Sequence, residues 1–132
     1  MLPRFLLDTH VAVRWLLEAK KLSREQVRAI EEAVRRTEPV GLSAMSLLEI
    51  AVLTSQGKLR LRVDEFFEEL QANPLFRILP LSYEVALEVA SLGVALRDPA
   101  DRVIVATARV HRLRLMTLDQ RIIESKLVPV LV

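Results

Sequence analysis

The acidic residues of this chain fall into two groups. Twelve are Glu and only five are Asp. Glu25, Glu31, Glu32, Glu65, Glu68 and Glu69 lie at helical spacing among polar neighbours, as on a solvated helix face. Asp8, Asp64, Asp98, Asp101 and Asp119 instead fall where the sequence pattern changes from one element to the next. Glu49 stands apart from the other Glu, inside Leu47-Leu48-Glu49-Ile50-Ala51-Val52-Leu53, a segment apolar nearly all round. An isolated buried carboxylate is costly, so Glu49 needs a partner, a raised pKa or a cation. The competing expectation is a Glu that reaches the helix edge and pairs with an Arg. Several carboxylates brought together without a neighbouring Lys repel one another, and a hard divalent cation relieves them. Oxygen-only ligands select Mg²⁺ or Mn²⁺ over Zn²⁺. Without a cysteine nucleophile or a Gly-rich phosphate loop, such a site suits metal-assisted phosphodiester hydrolysis.

The elements must then bring these acids together. Phe5-Leu6-Leu7 is a short apolar run that turns polar at Asp8, as in a strand buried on both faces with Asp8 at its carboxyl end. A helix follows over Thr9–Glu18, with Val11, Val13, Trp15, Leu16 and Leu17 as its apolar contacts. Ser23 and Gln26 have the spacing of a capping box, opening a helix whose buried stripe is Val27, Ile30, Ala33 and Val34. Val40-Gly41-Leu42 is a second strand, and Ser43 caps a helix that runs to about Gln56 and stops at Gly57. Asp64 is expected to cap a helix over 65–72, and is given no chemical role. Phe76–Leu81 is a third strand. Ser82 caps the next helix, whose apolar residues are Val85, Ala86, Val89, Ala90 and Leu92.

Asp98, Pro99 and Asp101 make a good helix start, with Asp98 as the cap. That frees Asp101, left at the mouth of an apolar helix running to about His111. Leu113–Leu118 is a fourth strand with Met116 and Leu118 buried; Asp119 stands beyond it, followed by a short helix and a last strand over 128–132. Alternating strands and helices argue for an α/β fold, a parallel sheet with helices on both faces, over residues 1–132 as one domain. In such sheets the ends of central strands and the starts of the following helices converge on one crevice, so Asp8, Asp101 and Asp119 are expected near one another, with Glu49 approaching from the third helix.

Composition narrows the classes. The net charge is +2, and fifteen of nineteen basic residues are Arg, compatible with a nucleic-acid partner but as readily explained by codon bias or thermal adaptation. Hydrophobic residues make up 52% of the chain, rich enough to expect a partner or a second copy over some apolar surface. No uncharged run reaches the length of a membrane span, the start is too poor in apolar residues for a signal peptide, and the absence of Cys fits a reducing cytosol.

Four blocks resemble the PIN domain, and specifically the VapC toxins of VapBC toxin–antitoxin pairs. They are Leu6-Leu7-Asp8-Thr9-His10; Ser43 through Ser46-Leu47-Leu48-Glu49-Ile50 with Gly57-Lys58-Leu59; Arg97-Asp98-Pro99-Ala100-Asp101-Arg102 with Ala106-Thr107-Ala108; and Met116-Thr117-Leu118-Asp119. The resemblance implies a three-layer α/β/α sandwich around a parallel sheet of about five strands, and a cytoplasmic Mg²⁺-dependent endoribonuclease. Asp8 and Asp101 would be the main metal ligands, with Glu49 and Asp119 completing the quartet and Asp98 either an auxiliary acid or only the cap. Thr9, Ser43 and Thr117 match hydroxyl positions that orient ligands or substrate. A homodimer, an RNA substrate and a VapB-like antitoxin covering the active site are implied as well. His10 reads as a helix-start or packing residue and His111 as structural.

Other classes fit less well. A non-catalytic PIN-like module binding RNA or protein is weakened by the presence of all four acids. A phosphoacceptor receiver domain wants an acidic pair beside its central Asp and a Lys after a later strand. A haloacid-dehalogenase-type phosphatase wants Asp-x-Asp after the first strand, where His10 stands.

Overall fold

The structure, a computed structural model, describes residues 2–132. Its strands are β1 (Phe5–Leu7), β2 (Val40–Ser43), β3 (Phe76–Leu79), β4 (Arg114–Met116) and β5 (Val130–Leu131). They form one parallel sheet in the order β3-β2-β1-β4-β5. The helices are α1 (Thr9–Leu17), α2 (Arg24–Arg35), α3 (Ala44–Ser55), α4 (Val63–Ala72), α5 (Tyr83–Ser91), α6 (Pro99–His111) and α7 (Gln120–Ser125). The expected α/β/α sandwich with five parallel strands is what the chain forms.

Side chains that alternate along a strand feed opposite faces of the sheet. Leu7 and Met116 join Val40 and Leu42 in a core with Val11 of α1, Ile30 of α2, Ile50 of α3 and Phe66 of α4. Leu6 and Leu115 point the other way, into a core with Val85 of α5, Ile104 and Val105 of α6 and Ile122 of α7. Each central strand therefore needs apolar residues at successive positions, which is why β1 and β4 read as unbroken apolar runs. Between the two faces at β2, Gly41 leaves little room: a Cβ there would lie 3.1 Å from Leu79 Cδ1 and 3.3 Å from the Phe5 carbonyl oxygen.

Most helix starts follow the expected chemistry. Ser23 and Gln26 form the capping box, and Ser43 and Ser82 accept from Met45 N and Val85 N. Gly57 ends the turn after α3 at φ +72°, a left-handed conformation that suits Gly. Asp64 is a correction: α4 begins two residues earlier than expected, at Val63, with Arg62 at the cap position and no side-chain cap. Asp64 lies in the first turn instead, still favoured by the positive helix end. The third and fourth strands are shorter than expected, ending at Leu79 and Met116, because the chain leaves the sheet for the following helix. Leu118 is consequently 39% exposed rather than buried. Val34 and Leu17 also face solvent. Val34 lies at the edge of the α2 stripe, whose centre is Gln26, Ile30 and Ala33. Of the expected apolar residues of α5, Ala86 and Ala90 are exposed, while Val85 is buried and Val89 packs partly against it.

Candidate active site

In the strand order β3-β2-β1-β4-β5 the chain builds outward from β1 in one direction, then crosses over to build from β4 in the other. The crevice beyond the carboxyl ends of β1 and β4 is thus the switch point where open α/β sheets place ligands. Asp8 leaves β1 there. It is buried and also the N-cap of α1, its Oδ1 accepting from Thr9 N at 2.8 Å. Its Oδ2 accepts from Thr117 Oγ1, just past β4, at 2.8 Å. The Thr117 hydroxyl in turn accepts from Asp119 N at 3.0 Å, so one side chain ties together the acids following the two central strands. The end of β4 is held by Gln26 of α2, which is fully buried and donates to the carbonyls of Thr117 and Leu131.

The N-terminus of α6 supplies the third acid. Asp98 caps the helix as expected, its Oδ1 accepting from Asp101 N at 3.0 Å, and its side chain remains exposed. Asp101, at the third helical position, is only 7% exposed, and its Oδ2 is buried without a hydrogen-bond partner. Burial, followed by the charges of Asp98, Asp8, Asp119 and Glu49, pushes the Asp101 carboxyl up to about 7. Burial likewise raises Asp8, opposed by the hydrogen bonds from Thr117 and Thr9 and by the charge of His10, and assisted by Glu49. Asp119 behaves differently. Partial burial would raise it, but hydrogen bonds from the Arg121 side chain and backbone, with the guanidinium charge, hold it below the usual carboxylate range.

Of the sequence-predicted quartet, Asp8, Glu49 and Asp119 all act on Asp101 through their charges. Glu49 differs from expectation in its surroundings. The outer side of α3 is open, with Leu48 54% exposed and Val52 42% exposed, and Glu49 itself is half-buried. It carries no forced pairing, and among the described residues no arginine is paired with it. Of the hydroxyl residues, Thr117 touches Asp8 directly. Thr9 donates to Ser46 Oγ at 2.8 Å, fastening α1 to α3, and Ser43 is the α3 cap. His10 is exposed at the start of α1 rather than packed, and lines a pocket of about 180 Å³ with Asp8, Val11, Arg14, Leu118 and Asp119. His111 is exposed at the end of α6.

Three residues contribute to the site in ways that residue spacing does not signal. Ser46 and Gln26 act through contacts between elements far apart in sequence. Arg121, on α7, places Nε 3.3 Å from Asp119 Oδ1 and Nη2 3.1 Å from Asp119 Oδ2, and the same Nη2 lies 3.9 Å from Asp101 Oδ2.

The donor set is oxygen throughout, and a buried carboxylate oxygen without a hydrogen bond is the atom a hard cation would satisfy, so in chemistry these residues suit a divalent ion. Among the described residues, no three His, Cys, Asp or Glu side chains stand close enough together to hold it as they are placed. Asp8 accepts from Thr9 N and Thr117 Oγ1, and Asp119 from Arg121.

A profile of the PIN domain matches residues 5–126. The chain is 35% identical to Ribonuclease VapC22 of Mycobacterium tuberculosis over 118 residues, 89% of this chain and 88% of that protein. The crystal structure of FitAcB from Neisseria gonorrhoeae superposes with a TM-score of 0.72 at 28% identity, covering 97% of this chain and 96% of that one. VapBC2 from Rickettsia felis, solved bound to a DNA fragment from its promoter, superposes with a TM-score of 0.73 over 96% of each chain; at 13% identity this is a likeness of fold alone. Profile and sequence identity both extend across nearly the whole chain, from β1 through α7, and together they make this protein a member of the PIN-domain family, in its VapC group.

Proposed function

We propose that the chain is a Mg²⁺-dependent endoribonuclease, the toxin half of a type II toxin–antitoxin pair, with residues 1–132 acting as one PIN domain. The observation that carries this reading is Asp101: a buried carboxylate whose Oδ2 has no hydrogen-bond partner, under the charges of four other acids, at the switch point of the sheet. In this reading Asp8 and Asp101 hold the ion, Glu49 and Asp119 complete the site, and Asp98 supports it from the α6 cap. Thr117 keeps Asp8 aimed, Thr9 and Ser46 hold α3 and its Glu49 against α1, and Ser43 sets where α3 begins. When bound there, a divalent ion would supply a water of lowered pKa and charge stabilisation for the leaving oxygen of a phosphodiester, with Mn²⁺ able to stand in for Mg²⁺.

The relative's name as a ribonuclease supports RNA as substrate, and the neighbours solved as toxin–antitoxin complexes support a VapB-like partner. Exposed Tyr83, Leu87 and Val94 offer apolar surface for the homodimer. Among the described residues no helix is long and apolar enough to cross a membrane, in keeping with a cytoplasmic toxin. The test is cleavage of a mixed RNA pool by the purified chain with EDTA, Mg²⁺ or Mn²⁺, beside Asp8→Asn. Cleavage that needs the ion and is lost in Asp8→Asn is expected. No ion-stimulated cleavage of any RNA, or full activity in Asp8→Asn, overturns the enzyme reading in favour of a binding module.

A further inference from the structure

Five carboxylates surround the switch-point crevice, and among the described residues Arg121 is the one Lys or Arg paired with any of them. Its guanidinium grips Asp119 with two nitrogens, a fork that a planar group can make and an ammonium cannot. The outer nitrogen leans 3.9 Å from Asp101 Oδ2, the buried atom without a hydrogen bond. A positive group thus already occupies the space between the two acids through which an ion would be held.

We propose that Arg121 is a built-in countercation of the acid pocket, which a divalent ion must displace from Asp101 and Asp119 in order to bind. The proposal rests on the metal-centre reading above. Two features suit Arg121 to leaving. Its side chain is 73% exposed, so its departure unmakes no core packing. Asp119 also keeps two contacts that do not involve the guanidinium: its Oδ1 accepts from Arg121 N at 2.9 Å, and its own N–H donates to Thr117 Oγ1. The carboxylate therefore stays in place as the α7 cap when the fork opens. The rival role, in which Arg121 holds Asp119 in the orientation that a metal needs, predicts the opposite sign for metal affinity.

The experiment measures Mn²⁺ affinity of the full chain by the loss of the free-ion paramagnetic resonance signal, in wild type, Arg121→Ala and Arg121→Lys, with a crystal of the wild type grown with Mn²⁺. Arg121→Ala is expected to bind Mn²⁺ about two- to fivefold more tightly, the range set by an exposed ion pair. Arg121→Lys keeps the charge but loses the fork, and is expected to lie between the two. In the Mn²⁺ crystal the guanidinium should be off both carboxylates. Equal or weaker binding by Arg121→Ala, Arg121→Lys indistinguishable from wild type, or a guanidinium still astride Asp101 and Asp119 beside the ion overturns the displacement. Failure of all three proteins to bind Mn²⁺ sinks the metal-centre reading itself, and the displacement with it.

Discussion

Replacing Asp101 with Asn should stabilise the ion-free protein at neutral and alkaline pH while abolishing its response to metal. The carboxyl is raised from 3.8 to about 7 by burial and by its neighbours' charges. At 1.36 kcal/mol per pK, that rise corresponds to about 4 kcal/mol. With 7% exposure the side chain has little solvent to screen it, but small shifts of neighbouring acids relieve part of the repulsion, so about 2–4 kcal/mol is expected. The sign follows from proton binding. The folded chain holds the Asp101 proton more tightly than the unfolded chain does. The favourable contribution is therefore complete below the unfolded value of 3.8 and is lost as pH rises through about 7. Asn has the same shape and no charge. Urea unfolding in EDTA should show wild type and Asp101→Asn alike near pH 4, diverging to the full difference at about pH 8. Mn²⁺ should then close most or all of the gap. An ion at one hundred times its dissociation constant adds about 2.7 kcal/mol to the wild type, and Asp101→Asn should gain little. Parallel pH curves in EDTA would refute the claim that Asp101 is a destabilised acid.

Thr117→Val removes the donor to Asp8 Oδ2 and the acceptor of Asp119 N; a loss of about 1–3 kcal/mol in urea unfolding and of about 10–100-fold in Mn²⁺ affinity is expected. Arg102 donates to three carbonyls, those of Val89, Gly93 and Leu96, clamping the end of α5 and the following loop to α6; Arg102→Lys should cost about 2–3 kcal/mol in the same assay because one ammonium cannot span them. Gly41→Ala should cost about 1–3 kcal/mol and lower the melting temperature, since the new methyl meets the Phe5 carbonyl, which cannot rotate away.

Much of this site is legible in the sequence because it depends on local pattern. Strand ends are marked by the change from apolar to polar, which places Asp8 and Asp119, and Asp98-Pro99 marks a helix start whichever way the chain packs. What escapes is what depends on approach between distant elements. Glu49 sits in a run that is apolar on every side, yet nothing in α3 itself reveals that no layer covers Leu48 and Val52. The α5 residues Ala86 and Ala90 mislead for the same reason, since apolar spacing does not say which faces find a partner. Gln26 is recognisable as half of a capping box, but its amide reaches two carbonyls about a hundred residues away. Arg102 and Arg121 are long, and where their guanidinium groups land is decided by tertiary geometry. Val63 starts α4 ahead of Asp64 because an acid at a helix start is favourable at several positions and so fixes none of them.

Capping and metal binding are often weighed as rival explanations of an Asp at a helix start, but here they are compatible. Asp8, Asp98 and Asp119 are each the N-cap of a helix, and each meets a backbone N–H with one carboxylate oxygen. Such bonds favour the charged form and draw on the positive helix end. At Asp119 they outweigh the partial burial and hold the carboxyl below its usual range. Asp101 is the exception. It follows the cap by three residues, accepts no hydrogen bond at Oδ2, and is buried beyond the help of water. Burial, with the charges of four neighbouring acids, bears on this one group, and a cation entering the crevice would relieve it. The arrangement separates two tasks: capped acids set the shape of the pocket through folding, and the uncapped one makes it responsive to a divalent ion.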